Sequence, residues 1–108
     1  MLEGFWILTL RSSDVTSGGV MILAKGKIFG GDNGFYWIGT YVADQQLIKG
    51  RVMVRNFDPE VKSVLGVPGD YEMHFSGNIQ GDTITGTVMI AGQPQYSVGV
   101  QMIKRANL

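Results

Sequence analysis

The sequence predicts an all-β chain folded as a small eight-stranded antiparallel up-and-down barrel, with one short helix near residues 59–65. Three observations predict it. Hydrophobic side chains recur with a period of two along most of the chain, as in strands with one dry face. Turn-forming groups such as Lys25-Gly26, Asp32-Asn33-Gly34 and Gln80-Gly81 punctuate it at short intervals. Glycine is abundant, at 16 residues against three prolines, and Gly39, Gly50, Gly77 and Gly86 fall among the side chains read as inward, where a curving wall needs room.

The elements follow in order. In the first strand, Gly4 to Leu10, Trp6, Leu8 and Leu10 oppose Phe5, Ile7 and Thr9. Residues 12–17 read as a polar loop. Val20, Ile22 and Ala24 then alternate with Met21 and Leu23, and the first set is read as inward. Lys25-Gly26 is a two-residue hairpin turn, since glycine supplies the positive φ that such turns need. A short strand from Lys27 follows, then the Asp32-Asn33-Gly34 turn. Phe35, Trp37, Gly39 and Tyr41 oppose Tyr36, Ile38, Thr40 and Val42, and Asp44-Gln45-Gln46 turns the chain. The next strand alternates most cleanly, with Ile48, Gly50, Val52 and Val54 dry and Lys49, Arg51, Met53 and Arg55 wet.

Asp58-Pro59-Glu60 then looks like a helix start, with a capping carboxylate, proline at the first helical position and an acid at the positive end of the dipole. Val61, Val64 and Leu65 give a short stripe, and Gly66 stops it. Three strands complete the set. Their inward sides are Tyr71, Met73, Phe75, Gly77; Ile84, Gly86, Val88, Ile90; and Tyr96, Val98, Val100, Met102. A barrel and a small sandwich both satisfy this pattern; the short sequential connections favour the barrel.

Composition bounds the function. A chain of 108 residues forms one domain, 1–108. The absence of cysteine excludes disulfide frameworks, thiolate catalysis and cysteine-ligated zinc. Nine basic residues balance nine acidic ones, so the positive field of a nucleic-acid binder is missing and no direct nucleic-acid contact is expected. No apolar run approaches the roughly 18 residues of a spanning helix, and Phe5 to Leu8 is too short for a signal-peptide core. A cytoplasmic protein with no membrane contact is expected.

Catalytic chemistry is sparse. His74 is the single histidine and reads as a solvated strand residue beside Glu72 and Ser76. The aspartates fall at turns, where carboxylates hold local backbone. Gly30-Gly31-Asp32-Asn33-Gly34 lacks phosphate-loop spacing, and Ser63-Val64-Leu65-Gly66 is no nucleophile elbow. No catalytic residue, metal site or cofactor is therefore expected.

Two kinds of binding surface remain. An eight-strand barrel is just wide enough to be filled by side chains or to hold one small ligand. Trp6, Leu8, Ile22, Trp37, Tyr41, Val52, Phe75, Val88 and Val98 would line such a site for an apolar molecule, and a lumen of roughly 300 Å³ or more would mark it. Outside, Phe5, Ile7, Met21, Leu23, Ile38, Met89 and Ile103 are more apolar surface than a lone barrel needs, so a homodimer is expected. Lys49, Arg51 and Arg55 form a basic stripe, either an ordinary wet face or a docking surface for an acidic partner.

Gly30-Gly31-Asp32, the aromatic strand with Trp37-Ile38-Gly39, the alternating strand to Arg55, Ser63-Val64-Leu65 and Asp70-Tyr71 together resemble, in order and spacing, the GrlR-like family of negative regulators of type III secretion in enteric bacteria. The resemblance implies a lipocalin-like barrel with a short helix, dimeric and without enzymatic activity. It also implies regulation by binding a protein partner such as a transcriptional activator, and a capacity to hold an apolar ligand. The family's acidic partner-binding run would fall at Ala43, Asp44, Gln45 and Gln46, where only Asp44 is acidic. A loop without that charge cannot make the same contact with a basic surface.

Overall fold

A computed structural model describes residues 2–12, 16–63, 65–67 and 69–108. Eight strands follow one another: β1 (Gly4–Arg11), β2 (Thr16–Ala24), β3 (Lys27–Gly31), β4 (Phe35–Ala43), β5 (Leu47–Asn56), β6 (Tyr71–Gln80), β7 (Thr83–Ile90) and β8 (Gln93–Asn107). Each pairs antiparallel with the next, and β8 returns to β1, so the order around the closed barrel is the order along the chain. The meander expected from the short connections is the fold.

Local chemistry sets the registers. Lys25 and Gly26 both take positive φ, 52° and 79°, the geometry of a twisted two-residue hairpin. That turn places Ala24 opposite Lys27, Leu23 opposite Ile28 and Ile22 opposite Phe29. At the next turn the Asp32 carboxylate accepts the backbone N–H groups of Gly34 (3.0 Å) and Phe35 (2.9 Å). Asp44 does the same for Gln46 and Leu47.

The core is the lumen. Trp6, Leu23, Ile28, Ile48, Ile84 and Met102 are its largest fully buried side chains, each contributing about 1.5–3 kcal/mol by burial. The Trp6 indole N–H donates to the Leu2 carbonyl at 3.0 Å, so its one polar atom is satisfied. Inward glycines let neighbouring strands approach. A methyl on Gly39 would strike the Arg51 carbonyl, and one on Gly86 the Ser76 carbonyl.

Several expectations are corrected. In β2 the faces are exchanged: Met21 and Leu23 are buried, and Ile22 lies outside. Both faces of this strand are apolar, so alternation does not orient it. The hairpin does, because Lys27 must face water and carries Ala24 and Ile22 outward with it. The strand also begins at Thr16, inside the segment read as loop; residues 13–15 of that loop lie outside the described set.

The helix near residues 59–65 is absent among the described residues; the Val64 and Pro68 expected there and just beyond lie outside them. Asp58 caps as expected, accepting the Glu60 N–H at 3.1 Å. Two separate turns follow, Val61 N–H to Asp58 carbonyl (3.0 Å) and Gly66 N–H to Ser63 carbonyl (2.9 Å). One or two turns cannot repay helix nucleation, and tertiary contacts take the segment instead. Tyr96 is exposed, beyond a register shift at Met89/Ile90 that ends the regular β7–β8 ladder. β8 runs on to Asn107 because it must pair with both β7 and β1.

Replacing Gly86 by alanine is expected to destabilise the barrel by about 2 kcal/mol, since backbone must move. That lowers the thermal midpoint by roughly 10 °C. Gly99→Ala, with no atom in reach of the new methyl, should stay within about 0.5 kcal/mol of the parent. Paired thermal unfolding curves check both.

Candidate functional site

The lumen is nearly full. Of the residues expected to line it, Trp6, Leu8, Trp37, Phe75, Val88 and Val98 are buried, and Tyr41 and Val52 pack half-buried against them. Ile22 is on the outer wall, 36% exposed, and does not join the set. The space they leave is a cavity of about 90 Å³ near the end bearing Asp32, Ser63 and Tyr71.

That end is covered by the segment between β5 and β6. Val61 sits over Gly34, where any side chain would overlap it. The Asn56 amide donates to the Gly34 carbonyl (2.9 Å) and the Asp58 carbonyl (3.0 Å), tying the segment's start to the β3–β4 turn. The Ser63 and Tyr71 hydroxyls share a hydrogen bond of 2.8 Å. Burial raises the Tyr71 pKa; the Ser63 bond opposes that and the Asp32 charge adds to it. At the segment's far end Asp70 accepts the Asn56 N–H (2.9 Å) and the Arg55 guanidinium (3.1 Å). The Asn56 bond first, then Arg55, hold its carboxyl below the usual range.

The 43–46 loop is a tight exposed turn. Its one carboxylate, Asp44, is engaged with the Gln46 and Leu47 N–H groups at 2.7 and 2.8 Å, and these lower its pKa. The Gln46 carbonyl accepts the Ile79 N–H at 2.7 Å, fastening the turn to β6.

The outer wall holds what the sequence under-read. Phe5 pairs across the ladder with Ile22, Ile22 with Phe29, Phe29 with Ile38, and Ile38 with Met53. This is one unbroken apolar row over β1–β5. Phe29, Ile38 and Met53 are 42%, 51% and 38% exposed. Val20 pairs with Ile7, and Ile7 with Ile103, in a second row beside it. Met21 and Leu23, expected here, are inside; Ile22 and Phe29 take their place. The signal was in the hairpin register rather than in either strand alone.

The basic stripe divides. Arg55 is bound to Asp70, whereas Lys49 and Arg51 have no acidic partner among the described residues. His74 is a solvated strand residue beside Glu72 as expected, its side chain 44% exposed and its Nε2 2.8 Å from the Glu72 carboxylate. Among the described residues no three His, Cys, Asp or Glu side chains group as metal ligands, and no helix is long and apolar enough to cross a membrane.

A comparison with known families matches residues 1–104 to GrlR, the T3SS negative regulator. The chain belongs to the GrlR family. No curated protein matches it significantly. The GrlR match spans all of β1–β7 and nearly all of β8.

Asp70→Asn is expected to loosen the covering segment. Because the folded-state pKa of Asp70 lies below its unfolded value, its contribution is present above about pH 4 and is lost as pH falls through the folded pKa. The variant should therefore be less stable than the parent at pH 7, and the gap should close in acid. Urea midpoints at pH 7 and pH 3 measure this.

Proposed function

We propose that this chain is a non-enzymatic, cytoplasmic negative regulator of type III secretion that acts by binding a protein partner, such as a transcriptional activator, and that it does so as a homodimer. The observation that carries the reading is the apolar row from Phe5 to Met53. Single exposed hydrophobics are ordinary on a monomer, but a continuous row marks an interaction surface. A second copy of the same barrel suits it. The row runs over five neighbouring strands of the closed barrel and so follows the curve of its wall, and a two-fold axis through its middle, near Phe29, would appose like residues of two copies. The zero net charge sets no long-range repulsion between copies.

The lumen supports a ligand reading less well. About 90 Å³ of space falls short of the roughly 300 Å³ at the lower end of usual small-molecule pockets. The small lumen supports the outer wall as the recognition surface of this reading.

Light scattering on the wild-type chain should give twice the monomer mass of 11.8 kDa. Phe29→Lys combined with Ile38→Lys buries unpaired charge at the centre of the interface, a penalty of about 3 kcal/mol or more. It should give monomers with an unchanged β-sheet circular dichroism spectrum. In a bacterium carrying a type III secretion reporter, expression of the wild type should lower reporter output. A wild-type monomer at high micromolar concentration, or an unmoved reporter, refutes the corresponding half of the reading.

A further inference from the structure

We infer that the outer wall of β4–β7 is a docking site for an extended acidic segment of a partner protein, gripped by Lys49 and Arg51. This rests on the partner-binding reading above and specifies the partner's chemistry.

The wall is dented there. An open concavity of about 590 Å³ lies over β4–β7, lined among others by Thr40, Lys49, Arg51, His74, Ser76 and Thr87. The dent has a cause in the sequence. Gly50 lines it, and Gly39, Gly77 and Gly86 lie on the inward side of the same four strands. With no side chains to prop the strands apart, the sheet can sag toward the lumen. A Cβ on Gly50 would already lie 2.9 Å from the Thr40 carbonyl.

The ladder gathers its polar groups. Lys27 pairs with Thr40, Thr40 with Arg51, and Arg51 with His74 in one row. Val42 pairs with Lys49, Lys49 with Ser76, and Ser76 with Thr87 in the next. Lys27, Lys49 and Arg51 have no acidic partner among the described residues. Glu72, on the outer face of β6, is bonded to His74, and Asp44 to its own turn. The concavity thus presents two cations and the hydroxyls of Thr40, Ser76 and Thr87 beside the apolar Val42 and Met89, and no carboxylate of the described residues forms an ion pair with either cation.

The occupant follows from spacing. Lys49 and Arg51 are alternate residues of one strand, on the order of 6.6 Å apart. An extended peptide repeats its same-side residues with that period, so alternate carboxylates meet successive cations. Binding must run through side chains, because a closed barrel offers no free strand edge to extend. Nucleic acid fits poorly: three cations neutralise too few phosphates in a chain of zero net charge.

The probe is a fluorescein-labelled peptide of about ten residues alternating glutamate and alanine, matched to the strand period. A glutamine–alanine peptide and an oligothymidine serve as comparators. Anisotropy should show binding of the glutamate peptide alone, weakening with added salt. Lys49→Glu with Arg51→Glu should weaken it at least about tenfold by reversing the complementary charge. Lys49→Gln with Arg51→Gln should act in the same direction, and covers the case in which charge reversal unfolds the barrel. Arg105→Glu, elsewhere on the exterior, should leave binding within about twofold, as expected of a screened distant charge. Amide shifts in the labelled protein should cluster at Thr40, Lys49, Arg51, Ser76 and Thr87.

Failure of the wild type to bind the glutamate peptide overturns the inference, as do equal binding of the glutamine peptide, tighter binding of oligothymidine, or unchanged affinity in the variants. If the wild type still dimerises and lowers the secretion reporter in any of those cases, the regulatory reading stands and only the acidic-segment assignment falls.

Discussion

Pairing of β8 with β1 is the constraint on which the rest of the structure depends. Without it the meander would be an open sheet with two unsatisfied edges, each a template for aggregation. With it, every strand has two neighbours, and the inward and outward faces of all eight are fixed together. One register cannot slip without exchanging the faces of a strand. The strain of closure is taken up locally, at the shifts beside Phe5/Trp6 and Met89/Ile90.

Closure also decides where recognition can occur. Trp6, Trp37 and Phe75 occupy the lumen, and the Asn56, Ser63 and Asp70 contacts hold the covering segment across one end. What space remains is small. The inward glycines, which on a sequence reading leave room inside, are instead where strands close up on one another, since a methyl on Gly39 or Gly86 would meet neighbouring backbone.

How much was legible depends on whether a strand's two faces differ. In β5 lysine and arginine alternate with isoleucine and valine, and the expected and observed faces agree at every position. In β2, Val20, Met21, Ile22 and Leu23 are all apolar, and a period of two cannot say which side is dry. The missing information lay in the Lys25-Gly26 turn, which locks β2 to the face choice of Lys27. The helix expectation failed differently: the cap at Asp58 was read correctly, but tertiary contacts of Val61 with Gly34 and Ser63 with Tyr71 outweigh a one-turn propensity. The basic stripe was read along one strand, although its meaning lies across strands. Arg55 is bound to the distant Asp70, and Lys27 enters from β3. Such pairings need the register before they exist.

The two outer surfaces meet on β4 and β5. Ile38 and Thr40 are alternate outward residues of β4, and Met53 and Arg51 of β5, so the end of the apolar row and the start of the basic dent are about 7 Å apart. A second copy seated on the row would stand at the rim of the dent. In the proposed assembly the apolar face would contribute affinity without choosing among partners, whereas Lys49 and Arg51, which have no acidic partner among the described residues, would disfavour a basic one. An acidic segment crossing that rim would touch both copies of the barrel at once. The effective concentration between adjoining sites then raises its affinity above that of the dent alone. In the proposed assembly dimerisation and recognition would share one wall, and a substitution at Ile38 or Met53 would act on the second through the first.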